Sequence, residues 1–499
     1  GFVVAGLLLA IFMSAMDNTI VATSMGTIVA DLGGFEMFVW VTSAYLVTVM
    51  AGTPIFGKLS DMYGRKRFFI FGLTVFLLGS VLCGTADSIT QLSIYRAIQG
   101  VGGGALMPIA FTIIFDIFPP EKRGKMTGLF GAVFGTSSLF GPLLGAYISE
   151  YISWHWIFYI NVPIGITSFI FIFLFYKESL VHKEQRIDWW GAITLVGAVI
   201  CLMFALELGG NQYAWSSVII LGLFAAFALF LAAFFVVETK ASDPIISFDM
   251  FKQRLFATSN AIGFFYGATF IIATIYIPIF VQGVFGGTAT NSGIILTPMM
   301  LGSVFGSQLG GMLTTRTSYR NIMMMSGVFF VSGVFLLSTL SPDIPRTVVT
   351  MFMILTGFGV GFSFSTLSMS AIHNFGMRQR GAATSSITFF RSLGMTLGIT
   401  IFGIIQRNLF QGNLKDEFAG MGNMQAGPDL GDSRALLSPE TREQIPPPVL
   451  EKITDALSSS IASTFMWALV PALLAVLFIF LMSKERVIVP AKKEWTEKG

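Results

Sequence analysis

From Leu255 to Thr315 the chain runs 61 residues without one charged side chain. A helix crosses the hydrocarbon core of a bilayer in roughly 20 residues, so this run holds two spans, with the break around Gly283 to Asn291. The rest of the sequence repeats the pattern at shorter length. Thirteen stretches are uncharged or nearly so, and the double one brings the expectation to fourteen spans: 2–29, 37–57, 68–86, 90–115, 125–149, 156–176, 189–207, 217–237, 257–282, 291–312, 321–340, 347–371, 382–406 and 460–482. Charged residues make up only 11% of the chain and mean hydropathy is +0.76, whereas soluble domains are about 25% charged. The expected fold class is an all-α polytopic membrane protein, and a soluble globular domain is excluded.

Val39 to Phe56 and Phe68 to Ala86 are joined by Gly57-Lys58-Leu59-Ser60-Asp61-Met62-Tyr63-Gly64-Arg65-Lys66-Arg67. So short a turn makes the two spans antiparallel neighbours. Gly57 and Gly64 allow close packing and a sharp backbone turn. Asp61 suits a helix N-terminus, where the dipole favours an anion. Arg65, Lys66 and Arg67 hold the turn on the cytoplasmic side. With that turn cytoplasmic, most of the 30 Lys and Arg fall in the even-numbered loops and the C-terminal tail. Among the short external loops only Arg346 is basic; five more basic residues lie in or beside 407–459, and Arg96 and Arg391 lie inside spans. The expected location is the cell membrane, multi-pass, with both termini cytoplasmic. The net charge of +3 is scattered over turns and forms no patch, so no nucleic-acid partner is expected. Cys83 and Cys201, both in apolar spans, read as packing residues.

The turn, G-x-L-x-D-x-x-G-R-K-R, resembles the cytoplasmic loop signature of the major facilitator superfamily. Gly311-Met312-Leu313-Thr314-Thr315-Arg316-Thr317-Ser318-Tyr319-Arg320 reads as a worn copy eight spans later, with Thr315 in place of the acid and Ser318 in place of the second glycine. Two six-helix bundles plus two extra helices follow from that spacing. The expected partition is an N-terminal bundle over 1–176, the extra pair with its flanks over 177–256, a C-terminal bundle over 257–482 and a tail over 483–499. Within the second bundle, 408–459 reads as a long external loop whose end, Val449 to Ser460, is a short amphipathic helix.

Further motifs sharpen the resemblance. Arg96-Ala97-Ile98-Gln99-Gly100-Val101-Gly102 resembles the superfamily's R-x-x-Q-G-x-G. Gly131, Gly135, Gly141-Pro142 and Gly145 resemble the G-x-x-x-G-P-x-x-G signature of antiporters. Asp17-Asn18-Thr19-Ile20-Val21 resembles the D-x-T-I-V motif of the fourteen-helix drug:proton antiporter family. The stretch Trp154 to Gly165 resembles that family's entry to the sixth span, and Phe390-Arg391-Ser392-Leu393-Gly394 its thirteenth. The matches cover the N-terminal bundle densely and the C-terminal bundle thinly. The resemblance implies proton-coupled export of small amphipathic, often cationic compounds by alternating access. It implies a proton gradient in place of any cofactor, no enzyme activity, and a monomer in lipid.

Each marked residue has a bland reading beside the functional one. Asp17 is the expected proton carrier; against that, it is half of a structural pair with Arg96. Arg96 in turn tunes or relays that proton, or it rigidifies the bundle through backbone carbonyls. Asp61, Arg65 and Asp116 are expected, by resemblance, to latch the outward-open state by bridging the bundles; the alternative is surface ion pairs worth under ~1 kcal/mol. Gly131, Gly135, Gly141 and Gly145 form a helix-packing groove, and Pro142 is expected to bend the span. Arg391, mid-span, contacts anionic substrate groups or locks the bundle. Glu207 sits near an external span end and reads as interfacial rather than coupling. Rival functions are an exporter of lipid or lipid-linked metabolites and, from another class, a channel or a membrane enzyme. No regular polar stripe supports a channel and no clustered catalytic groups support an enzyme. No G-x-x-x-x-G-K-[ST] loop supports ATP drive.

Overall fold

The computed structural model describes residues 1–33, 39–178, 187–210, 212–286, 289–418 and 446–487. Fourteen helices of a span's order of length follow one another. They are α1 (Phe2–Leu32), α2 (Val39–Tyr63), α3 (Arg65–Cys83), α4 (Ile89–Ile117), α5 (Pro120–Tyr151), α6 (Asn161–Phe175), α7 (Trp189–Leu208), α8 (Val218–Lys240), α9 (Arg254–Gly283), α10 (Ala289–Leu313), α11 (Tyr319–Leu337), α12 (Arg346–Ile372), α13 (Arg380–Phe418) and α14 (Pro447–Leu481). In lipid every backbone polar group must be satisfied within the segment, which is why apolar runs become helices. Thirteen helices among the described residues have the length and hydropathy of a span, α6 counting with the single turn Trp156–Tyr159 before it. Helix α10 lies at the tenth expected position but is not one of these, so the structure accounts for thirteen of the fourteen spans.

Helix ends follow local chemistry. Ser88, Asp188, Ser217 and Ser318 each accept a first-turn N–H of α4, α7, α8 and α11, satisfying donors that a helix start leaves open. Two boundaries differ from expectation. The loop predicted over 58–67 shrinks to Gly64 alone, whose φ of 108° is a conformation that favours glycine. Asp61 thus lies in the last turn of α2, while Arg65, Lys66 and Arg67 open α3. The amphipathic helix predicted at Val449–Ser460 is instead the start of one continuous helix, α14, that opens on Pro447, and α13 runs on to Phe418. The middle of the predicted external loop, 419–445, lies outside the described residues.

The packing repeats itself with an offset of eight helices. Helices α1 and α5, α1 and α6, α2 and α4, α3 and α4, and α3 and α6 pack together in the first half. Their counterparts α9 and α13, α9 and α14, α10 and α12, α11 and α12, and α11 and α14 do so in the second. Close approach rests on small residues in both copies. Gly102 meets the backbone of Gly72 and Phe76 between α3 and α4; Gly359 meets Phe330 between α11 and α12. The bundles touch along two seams, α2 against α13 and α5 against α10, which the repeat interchanges.

Helices α7 and α8 pack on each other, and α7 continues onto α2 and, more lightly, α13. Leu195, Val199 and Met203 of α7 join Val47, Met50 and Ala51 of α2 and Phe389 of α13 in one buried apolar cluster. Only 11% of the most apolar window of α8 is buried inside the protein. The pair therefore covers one seam from outside, with α8 turned to the lipid.

At the other seam Gly124 of α5 and Gly311 of α10 approach so closely that a Cβ on either would overlap the other's backbone. Gly124→Val is expected to force this seam apart. Overpacking of this kind costs about 1–3 kcal/mol, and a lowered midpoint in thermal unfolding of the purified protein reads it. An unshifted midpoint would show that the seam yields freely.

Candidate functional site

The first charge cluster lies inside the N-terminal half, where α1, α2, α3, α4 and α6 converge. Asp17 and Arg96 are both fully buried and form an ion pair through Asp17 Oδ2 and Arg96 Nη1. Asp17 Oδ1 accepts from Gln99 Nε2 and Asn161 Nδ2, each at 2.8 Å. Arg96 donates also to Gln99 Oε1 at 2.7 Å and to the Val41 carbonyl at 3.2 Å. Its guanidinium carbon lies 4.2 Å from the centre of the Tyr45 ring. Ser80 closes the network, receiving from Asn161 Nδ2 at 3.0 Å and donating to the Phe158 carbonyl at 2.8 Å. A charged arginine in a span costs at least ~2.5 kcal/mol, and this one is offset by a carboxylate, an amide, a carbonyl and an aromatic face. Arg96 thus bonds a backbone carbonyl and pairs with Asp17 at once.

The second cluster joins the halves. Arg65 pairs with Asp61 and, through Nε, with Asp116 Oδ2 at 3.2 Å. Its Nη2 donates to the Met377 carbonyl at 2.6 Å, across to the segment before α13. Asp61 accepts the backbone N–H groups of Gly381 and Ala382 at 2.8 and 2.7 Å. These are first-turn donors of α13, so the acid does sit at a helix N-terminus, but that of a helix from the other half. Arg380 Nη1 reaches Asp116 Oδ1 at 2.9 Å and the Phe115 carbonyl at 3.1 Å. The side chains of Asp61, Arg65 and Asp116 are at most 1% exposed, which removes the reading of surface ion pairs. Lys66, next in the turn, donates to the carbonyls of Phe173 and Tyr176, both at 2.7 Å, at the end of α6.

The glycines of α5 serve two neighbours rather than one groove. Gly131 and Gly135 face Ser307, Val304 and Met300 of α10, whereas Gly141 and Gly145 face Thr19, Met16, Thr23 and Ile20 of α1. Pro142 directly follows Gly141, in the second set, inside an unbroken helix. Glu207 is half-buried in the last turn of α7, and α7 supplies no side chain to the Asp17 cluster among the described residues. Arg391 stands over the Phe364 ring at 4.9 Å.

Sequence reasoning did not single out Asn161, Ser80, Tyr45 or Arg380. Asn161 had a signal, an amide inside an apolar run. Arg380 had one too, as the last charge before a long span. Ser80 and Tyr45 are marked only by helix packing, which no spacing in the chain reveals.

Two six-helix bundles repeating one packing pattern, with charges buried inside the first and between the two, define a membrane transporter rather than an enzyme. The chain belongs to the Major Facilitator Superfamily, whose family model matches residues 7–399. It is 59% identical over 501 residues to Multidrug resistance protein 3 of Bacillus subtilis (strain 168), covering 100% of this chain and 98% of that one. It is 38% identical over 479 residues to Multidrug transporter protein MdtP of the same organism, covering 92% and 87%. The human organic anion transporter MFSD10 has the same fold at a TM-score of 0.61 and 14% identity, covering 97% of this chain and 99% of that one. The proton:xylose symporter XylE does so at 0.62 and 13%, covering 96% and 94%.

Removing one partner from a buried ion pair costs about 3–5 kcal/mol. In a background with Cys83 and Cys201 replaced by serine, Ser385→Cys places a thiol at the α2–α13 seam. Adding Asp116→Asn or Arg380→Ala is expected to raise its maleimide reactivity at least ~10-fold. Unchanged reactivity in both would mean that these pairs touch across the seam without holding it shut.

Proposed function

We propose that this protein is a proton-coupled antiporter that exports hydrophobic and amphipathic, often cationic, compounds across the cytoplasmic membrane by alternating access. Export of drugs is supported by end-to-end similarity to a chain named Multidrug resistance protein 3 and to a second multidrug transporter. The observation that carries the coupling is the fully buried Asp17–Arg96 pair and its amide partners.

Asp17 is the proton carrier in this reading and Arg96 its regulator. As a carboxylate, Asp17 offers acceptors to Arg96, Gln99 and Asn161 at once. Protonation neutralises it and leaves the Arg96 charge without its counter-ion. Proton binding and rearrangement of the cluster are then one event, because a buried charge cannot stay uncompensated cheaply. Helices α1, α4 and α6 carry that rearrangement outward, and Gly141 and Gly145 let α5 slide against α1.

Asp61, Arg65 and Asp116, with Arg380, act as the latch that holds the cytoplasmic side closed. The basic turn puts this face in the cytoplasm, with both termini. The working partition is a bundle over 1–176, an inserted pair over 177–256, a bundle over 257–482 and a tail from 483, acting as a monomer. Gly131 and Gly135 supply the second, apolar part of the closed interface. Glu207 takes no part in coupling. The bundles rock about the midplane with the proton gradient as the sole energy source.

Asp17→Asn is expected to lower pH-driven efflux from proteoliposomes by at least ~100-fold, a barrier change of about 2.8 kcal/mol, while substrate binding to the purified protein stays measurable. Efflux at near wild-type rates in that variant would place the proton carrier elsewhere.

A further inference from the structure

The Asp17 and Asp61 clusters neutralise the arginines they contain; Arg391 is treated differently. It lies eleven residues into α13, roughly 16 Å from that helix's start at 1.5 Å per residue. It is half-buried, and its Nη2 is buried with no hydrogen-bond partner; Arg96 Nη2 is also unpartnered, so what sets Arg391 apart is the carboxylate that Arg96 has. No carboxylate pairs with it among the described residues. Helices α9 and α12, packed beside it, contain no acid, and the first acid further along α13 is Asp416.

What surrounds the guanidinium is aromatic. Phe364 of α12 lies 4.9 Å beneath it. That ring lies 6.3 Å from Phe134 of α5 and 6.2 Å, edge-on, from Phe270 of α9. Phe134 belongs to the first half and the other two to the second, so the rings bridge the halves behind one cation. An aromatic face attracts a guanidinium but supplies no acceptor for its N–H groups.

We propose that Arg391 is the anion-recognising group of a substrate subsite, and that the site takes aromatic monocarboxylates, with the Phe134–Phe270–Phe364 rings receiving the aromatic body. The guanidinium fork matches a carboxylate with two parallel hydrogen bonds. A single negative charge leaves the pair neutral, whereas a dianionic phosphate would leave a net charge in the low-dielectric interior. The subsite widens the substrate range from cations to monoanions and zwitterions. It rests on the transport reading above, because the halves must part around the rings for a compound to enter and leave.

The test uses the purified full-length protein and three probes of one shape: 1-naphthoate, 1-naphthamide and 1-naphthylmethylammonium. Binding is measured by calorimetric titration. The wild type is expected to prefer the carboxylate over the amide by about tenfold or more. Arg391→Gln is expected to bring the two to parity, and Arg391→Lys, which keeps the charge and loses the fork, to leave a preference of about threefold. Equal binding of all three probes by the wild type overturns the proposal. So does a preference that survives Arg391→Gln, or a full preference in Arg391→Lys. If Arg391→Gln weakens all three probes alike, Arg391 is a structural lock. Efflux of ethidium from proteoliposomes under a pH gradient is read separately. Its absence in the wild type sinks the antiport reading, whereas absent carboxylate preference in a protein that pumps ethidium sinks the subsite alone.

Discussion

Asp61 accepts two N–H groups from the first turn of α13, more than 300 residues away in the chain. A helix start leaves its first donors unpaired and carries a partial positive charge, so an acid there satisfies both needs, with a worth of up to ~2 kcal/mol in buried geometry. Within one helix this is an ordinary cap. Here the cap is borrowed from the other bundle, so α13 has its buried donors satisfied only while the halves touch. Arg65 and Arg380 then tie both acids to the same face through Asp116. The joint is therefore all-or-none: separating the seam strips donors and acceptors together, and water must replace them.

The second seam is closed by different physics. The repeat places the end of α10 where the end of α2 would be, and the acid has become Thr315 there. The first-turn acid of α5 is its own Glu121, and the seam brings Gly124 and Gly311 into backbone contact. Dispersion between surfaces is lost gradually with distance and has no direction, whereas hydrogen bonds to a buried acid are lost steeply. One seam thus behaves as a lock and the other as a hinge pad. The inserted pair falls on the locked seam, with α7 against α2 and α13.

Much of this was legible in the chain. Apolar runs of 20 residues have one stable form in lipid, so the helices were fixed by composition. The eight-span spacing between the Gly57–Arg67 turn and its copy at Gly311–Arg320 foretold the repeat seen in the packing. Asp17 with Arg96, and Asp61 with Arg65 and Asp116, were drawn from motifs, and each set meets in space. The misses share a cause. Turn residues such as Arg65 were read as loop because charge ends an apolar run, yet a helix continues through charge as readily as through leucine where it leaves the membrane. Arg380 and Asn161 gained their partners through tertiary contacts across 264 and 144 positions, and no periodicity encodes which distant acid a side chain will meet. α5 showed the opposite limit: its glycines read as one groove, but the one sequence line divides between α10 and α1.

The placement of intramembrane charge separates the two halves more sharply than their packing does. In the first half Asp17 and Arg96 cancel within a network of amides and a serine, each wall of which comes from a different helix. A site of that kind is costly to alter, which fits the proton-carrying role proposed for Asp17. In the second half Arg391 has an aromatic floor and no carboxylate partner among the described residues. In the proposed subsite a visiting anion supplies the missing counter-charge. In the proposed function this contrast divides the labour between a carried proton and compounds that vary. The repeat supplies the same scaffold twice; the difference in function lies in whether an arginine has been given its carboxylate.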